Sequence, residues 1–103
     1  MILVDNCYIG ENIKEKDIVI NKLIHNHPCK NIYCICVTSC SNNLLDIIKS
    51  REIVKDIYSN KRYKVIGIAQ GKKEAFELTR KIIESVYKKY KDPTKIKEFF
   101  KLE

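Results

Sequence analysis

The seven residues Ile32-Tyr33-Cys34-Ile35-Cys36-Val37-Thr38 carry no charge and almost no break in apolar or β-branched character. A strand with one wet face alternates polar and apolar residues. A run that lacks this alternation reads as a strand covered on both sides. A chain containing it has to bring packing layers to both faces of a sheet, and Tyr63 to Ala69 repeats the signal. A third extended segment, Ile2 to Ile9, is either continuous or broken at Asp5-Asn6, where those two residues could form a hairpin turn.

Helical patterns lie between and after these strands. From about Lys14 to Asn26, the apolar residues Val19, Ile20, Leu23 and Ile24 recur at three- and four-residue spacing, and His27-Pro28 closes the pattern. Leu44 to Tyr58 reads as a second helix, supported by Ile47, Val54, Ile57 and Tyr58, with Lys49-Ser50-Arg51 as a point of interruption. The longest stripe is Ala75, Leu78, Ile82, Ile83, Val86, Tyr87 and Tyr90, predicting a helix from Lys72 to about Tyr90. Asp92-Pro93 then supplies an N-cap and a first helical position for a short closing helix carrying Ile96, Phe99 and Phe100. Strands alternating with helices predict a single α/β domain over residues 1–103. Its expected core is a small, mainly parallel sheet of three or four strands in βαβαβα order, plus the short C-terminal helix. Two open sheet edges would then need cover from an N-terminal hairpin or from homo-oligomerisation through an edge or helix face.

Composition narrows the class of protein. With 45% apolar and 32% charged residues, the chain can bury a core and stay in solution. It shows no signal-peptide core and no apolar run of spanning length, so a cytoplasmic protein without membrane contact is expected. Five cysteines, an odd number, several of them inside the most apolar stretch, fit reduced thiols better than a disulfide framework. The net charge of +7 is concentrated: residues 1–60 carry seven basic and seven acidic side chains, residues 61–103 thirteen and six. That asymmetry raises nucleic acid or an acidic partner as a second function class. Seventeen of the twenty basic residues are Lys, which weakens it, because bidentate phosphate recognition favours Arg.

If the strands are parallel, their carboxyl ends form one rim, where open α/β sheets bind ligands. The rim would combine Gly10-Glu11-Asn12, Ser39-Cys40-Ser41-Asn42-Asn43 and Gln70-Gly71-Lys72-Lys73, each opening a helix whose free N–H groups attract anions. Asn12, Ser41, Asn42, Gln70, Gly71 and Lys72 are the expected ligand-binding residues, and an anionic small molecule the expected guest, bound without catalysis. The same residues also read as ordinary caps and turns. No Gly-rich fingerprint or Gly-Lys-Ser/Thr motif is present, which disfavours dinucleotide and nucleoside-triphosphate enzymes. No cofactor is called for.

A third class, a thiol-dependent enzyme, would use Cys7 or Cys40. Cys7, near the end of the first strand, resembles in position the phosphocysteine of small domains of sugar phosphotransferase systems. The residues after it, Tyr8-Ile9-Gly10-Glu11-Asn12, are acidic and poor in hydroxyls and would repel a phosphoryl group, so the resemblance stops at position and size. No Arg near Cys7 supports a phosphatase-type loop. His25, His27, Cys29, Cys34, Cys36 and Cys40 have zinc-type chemistry but not the spacing of a familiar zinc site. Cys34 and Cys36 share one face of a strand and read as small core residues.

Overall fold

The computed structural model describes residues 1–38, 43–55 and 63–102. Four strands, β1 (Ile2–Ile9), β2 (Ile32–Thr38), β3 (Asp46–Lys49) and β4 (Tyr63–Gln70), form one sheet in the order β1-β4-β2-β3. Helices α1 (Lys16–Ile24), α2 (Ser50–Lys55), α3 (Gly71–Tyr90) and α4 (Ile96–Phe99) surround it, with a 3-10 turn at Pro93–Lys95.

The uncharged run behaves as its composition demands. Along β2, Tyr33, Ile35 and Val37 pack toward α3 and α4, while Ile32, Cys34 and Cys36 pack with Leu23 of α1 and Ile53 of α2. Cys34, Ile35 and Cys36 are all fully buried. The sheet is the middle layer of three. Each fully buried Ile or Leu contributes about 1.5–3 kcal/mol, so Ile35, Ile66 and Ile82 on one side and Leu23, Ile53 and Ile68 on the other anchor both layers. On α1, Ile24 departs from the predicted apolar face and stays 48% exposed.

The expected parallel sheet is corrected. Only β1 and β4 pair in parallel; β2 runs antiparallel to both β3 and β4, so most of the pairing is antiparallel. Two reversals produce this: β2 runs opposite to β1 across α1, and residues 46–49, predicted as helix, fold as β3 between β2 and β4 in the chain. Ile47 faces the α3 side and Ile48 the α1 side, the two-residue period of a strand. Ile47 also lies seven residues before Val54, a helical spacing, so the pattern alone was ambiguous. With β3 in place, too few residues separate it from β2 for a parallel crossover, and an antiparallel pair results. Helix α2 therefore begins only at Ser50, inside the stretch the sequence marked as an interruption.

Two irregularities shape the sheet. In β4, Val65 and Gly67 pair with the successive residues Cys36 and Ile35, leaving Ile66 as an extra, bulged residue. Ile66 and Gly67 consequently both turn toward α3. A Cβ on Gly67 would lie 3.2 Å from Ile35 and Ile82 side-chain atoms and 3.4 Å from Leu78. Glycine lets the helix close over the bulge. In β1, the register shifts between Leu3 and Tyr8, and Asp5 and Asn6 are exposed. The chain does not reverse there, so no N-terminal hairpin covers the edge. An irregular, charged edge strand is itself a poor template for further pairing.

Candidate anion-binding site

Strand directions decide which turns meet. Thr38, the last residue of β2, pairs with Tyr63, the first of β4. The segment after β2 thus starts at the pole opposite the turns that follow β1 and β4, and the predicted three-loop rim is corrected to a different set. Ser41 and Asn42, together with Cys40, lie outside the described residues. In their place stands the end of β3: Tyr33 pairs with Lys49, and Ile32 with Gln70. The β3–α2 junction and the β4–α3 junction therefore flank the start of β2 at one end of the sheet.

Asn12, Gln70, Gly71 and Lys72 remain at that end, but the backbone donors of Asn12, Gln70 and Gly71 are engaged within the chain. The Asn12 N–H donates to Glu74 Oε2 and the Gln70 N–H to Glu74 Oε1, each at 2.8 Å. The Gly71 N–H donates to the Asn31 carbonyl at 2.8 Å. Glu74, nearly buried, thus brings the chain's own carboxylate to the start of α3, where the helix dipole favours a negative charge. Gly10 packs directly against that carboxylate, since a Cβ there would sit 2.6 Å from Glu74 Cδ. Gly71 itself takes φ +81°, a left-handed conformation suited to glycine, to begin the helix. The Lys72 ammonium leans over the Phe76 ring at 5.9 Å rather than toward the sheet.

The end of the sheet is split by charge. On the β1 side, a hollow of about 280 Å³ is lined by Tyr8, Gly10, Asn12, Glu11, Glu74, Glu77 and Lys81. Three carboxylates against one ammonium make it hostile to anions. Beyond β4, a pocket of about 870 Å³ is lined by Lys30, Tyr33, Lys49, Arg51, Lys55 and Gln70, over a wall formed by residues 28–32 and Ser50. Its described lining holds four cations and no carboxylate. The nearest ion pair, Arg51 to the neighbouring Glu52 at 3.8 Å, joins two exposed side chains and is correspondingly weak.

The pocket's wall is tied down by one hydroxyl. Ser50 is fully buried; its Oγ donates to the Cys29 carbonyl at 3.0 Å and accepts from the Cys29 N–H at 3.4 Å. This clamps the loop before β2 to the first residue of α2. Asn31, at φ 62°, then turns the chain into β2 and offers its carbonyl to Gly71. Of the predicted binding residues that the structure describes, Gln70 alone lines this pocket. Lys30, Tyr33, Lys49, Arg51 and Lys55 were not singled out as ligand contacts, because Lys49-Ser50-Arg51 places its cations at the sheet end only once β3 is recognised as a strand.

Three of the described thiols are quiet. Burial pushes the Cys7 thiol up to about 12, and its Sγ lies 3.7 Å from the Tyr8 carbonyl. Cys34 is likewise pushed up to about 12 by burial, with Cys7 and Cys29 adding to the effect. Cys36 is raised well above the ordinary range for the same first reason. In the pocket wall, burial raises Cys29 while Lys22 pulls it back. Reactive cysteines occupy electropositive, accessible settings, unlike Cys7, Cys34 and Cys36. The described residues contain no cluster of three His, Cys, Asp or Glu side chains arranged to hold a metal ion. His25 Nδ1 instead sits 2.8 Å from the Asn21 carbonyl at the end of α1.

No protein-family model matches the sequence, and neither the curated proteins nor the solved structures yield a significant match. Among the described residues, no helix is long and apolar enough to cross a membrane.

Proposed function

We propose that this chain binds an anionic small molecule, phosphorylated or polycarboxylated, in the pocket at the carboxyl ends of β3 and β4, without performing chemistry on it. The observation that carries the reading is the charge of that pocket: Lys30, Lys49, Arg51 and Lys55 face a concavity of about 870 Å³ with no carboxylate among its described lining residues. Its size lies in the range of small-molecule sites, and Tyr33, Asn31 and Gln70 add groups that orient a ligand. Arg51 suits bidentate contact with phosphate or carboxylate, and the lysines act as point charges around it. The described lining residues include no His, Asp or Glu to serve as general acid or base, and the one thiol, Cys29, is raised by burial. This favours binding over catalysis.

A thermal-shift panel of phosphorylated and carboxylated metabolites tests the proposal. A ligand at 100 times its Kd stabilises the native state by about 2.7 kcal/mol, a shift of several degrees or more. Lys49→Gln/Arg51→Gln, two exposed positions, should leave the unliganded protein at least as stable as the parent and abolish most of that shift. A flat response across the panel, or a shift untouched by the double variant, overturns the reading.

A further inference from the structure

The long helix presents a second surface unrelated to the pocket. Tyr87 and Tyr90 belong to the apolar stripe of the sequence, yet they are 52% and 36% exposed, and Phe76 is 55% exposed. The core face of α3 is made instead by Ala75, Leu78, Ile82 and Val86. At 3.6 residues per turn, Phe76, half-buried Ile83, Tyr87 and Tyr90 fall within about 60° of one another around the helix axis, on a stripe separate from the core face. The stripe runs about 20 Å along the helix at 1.5 Å per residue.

Each exposed ring has an ammonium beside it. Lys72 lies 5.9 Å from the Phe76 centroid, Lys91 5.9 Å from Tyr87, and Lys89 5.5 Å from Tyr90. Lys73 and Arg80 flank the same stripe on the helix, within the part of the chain that holds the whole charge excess. We propose that this face of α3 is a docking surface for single-stranded nucleic acid, the rings stacking on unpaired bases and the ammonium and guanidinium groups pairing with phosphates. Rings interleaved with cations are what such surfaces use, because every base offers a π-face and the backbone supplies the charge. A second copy of the chain fits poorly, since it would set one lysine-flanked stripe against another. A lipid surface fits poorly too: a helix lying in a bilayer buries a broad apolar face, and that face of α3 is spent on the sheet.

The test is fluorescence anisotropy of the full chain with labelled single strands of about 12 nucleotides, DNA and RNA, and with duplexes of equal length. Single strands should bind more tightly than duplex. With four cations engaged, affinity should fall about 50-fold between roughly 50 and 200 mM salt. Phe76→Ala and Tyr87→Ala should each weaken binding by about 5- to 100-fold, and Tyr87→Phe, which keeps the ring, should stay near the parent. These positions are exposed, so the variants should melt at the parent temperature. Absence of binding at low salt, equal or tighter binding of duplex, or full affinity in both alanine variants overturns the proposal. So does loss of binding only in the pocket variant Lys49→Gln/Arg51→Gln, or recruitment by phosphatidylserine vesicles when oligonucleotides fail.

Discussion

The carboxylate of Glu74 should behave as a structural anion whose removal is costly, and Gly10 should be needed only because that carboxylate is there. Glu74 accepts two backbone N–H groups at 2.8 Å while almost entirely shielded from solvent. A hydrogen bond to a charged group contributes about 1.5–3 kcal/mol, and a donor left unpaired adds a desolvation cost. Glu74→Ala opens space through which water reaches the freed amides, recovering part of this. A net loss of about 2–4 kcal/mol follows, or about 10–20 °C in melting temperature for a domain of this size. Gly10→Ala should destabilise by a similar route, because its new methyl occupies the carboxylate's place and pushes it off both donors. In the Glu74→Ala background the nearest remaining neighbour of the same methyl is the Ala69 backbone, at 3.2 Å, and the methyl should cost below about 1 kcal/mol. Urea denaturation of the parent, both single variants and the double variant closes the cycle. The expected coupling is about 1–3 kcal/mol, with the double variant close to Glu74→Ala alone. Additivity within about 0.5 kcal/mol would falsify the idea that Gly10 exists to admit Glu74.

Three further outcomes are expected. Ser50→Ala removes both hydrogen bonds to Cys29 from a fully buried site and should destabilise by about 1–3 kcal/mol; Ser50→Thr, if it retains them, should do less harm, and urea midpoints compare the two. The buried thiols should make stability fall at high pH. The unfolded thiol ionises near 9 and the folded Cys7 and Cys34 near 12, so the folded chain holds more protons in between. Their contribution is complete below about pH 8.5 and declines as pH rises from about 9 toward 12. Denaturation midpoints at pH 8 and 10.5 should differ less in Cys34→Ala than in the parent, and an equal difference would remove Cys34 as a cause. Gly67→Val should cost more than about 2 kcal/mol, because Ile35, Ile82 and Leu78 already close on the absent side chain, whereas Gly67→Ala should be milder.

What the sequence made legible follows from how much of each pattern was over-determined. The runs at Ile32–Thr38 and Tyr63–Ala69 are too uniformly apolar to be anything but covered strands, and both fold that way. Asp92 caps through its Oδ1, which accepts the Thr94 N–H at 2.9 Å, with Pro93 following as expected. By contrast, Leu44 to Lys49 offered four apolar residues in six, and only pairing with β2 makes Ile47 and Ile48 point to opposite faces. Propensity could not decide it, because a four-residue strand gains its stability from its neighbour. That local ambiguity reversed the chain between β2 and β4, the opposed run of β2 against β1 reversed it a second time, and strand direction determined which turns share a pole. The exposed rings of α3 failed for a different reason. Tyr87 and Tyr90 continue an apolar stripe in sequence, but they lie around the helix from the core face to which buried Val86 belongs, and periodicity carries no information about how much of a broad stripe a partner layer covers.

The chain solves the same electrostatic problem in two ways at one end of its sheet. Helix starts and strand ends gather unpaired N–H groups and attract negative charge. Next to β1, the chain satisfies that demand itself: Glu74 folds back over Asn12 and Gln70, and Glu11 and Glu77 leave the adjoining hollow acidic. Across β4 no carboxylate among the described residues fills the corresponding place, and Lys30, Lys49, Arg51 and Lys55 surround an open concavity instead. Four cations facing one pocket repel each other at a cost that grows as water is excluded, and an occupant of opposite charge relieves it. If that repulsion shapes the pocket, replacing Lys49 with Glu should stabilise the unliganded protein by a few tenths of a kcal/mol while removing anion binding. The two effects have opposite signs, and melting curves with and without ligand separate them. A variant destabilised in the free state yet unchanged in binding would show that Lys49 serves the fold and not an anion.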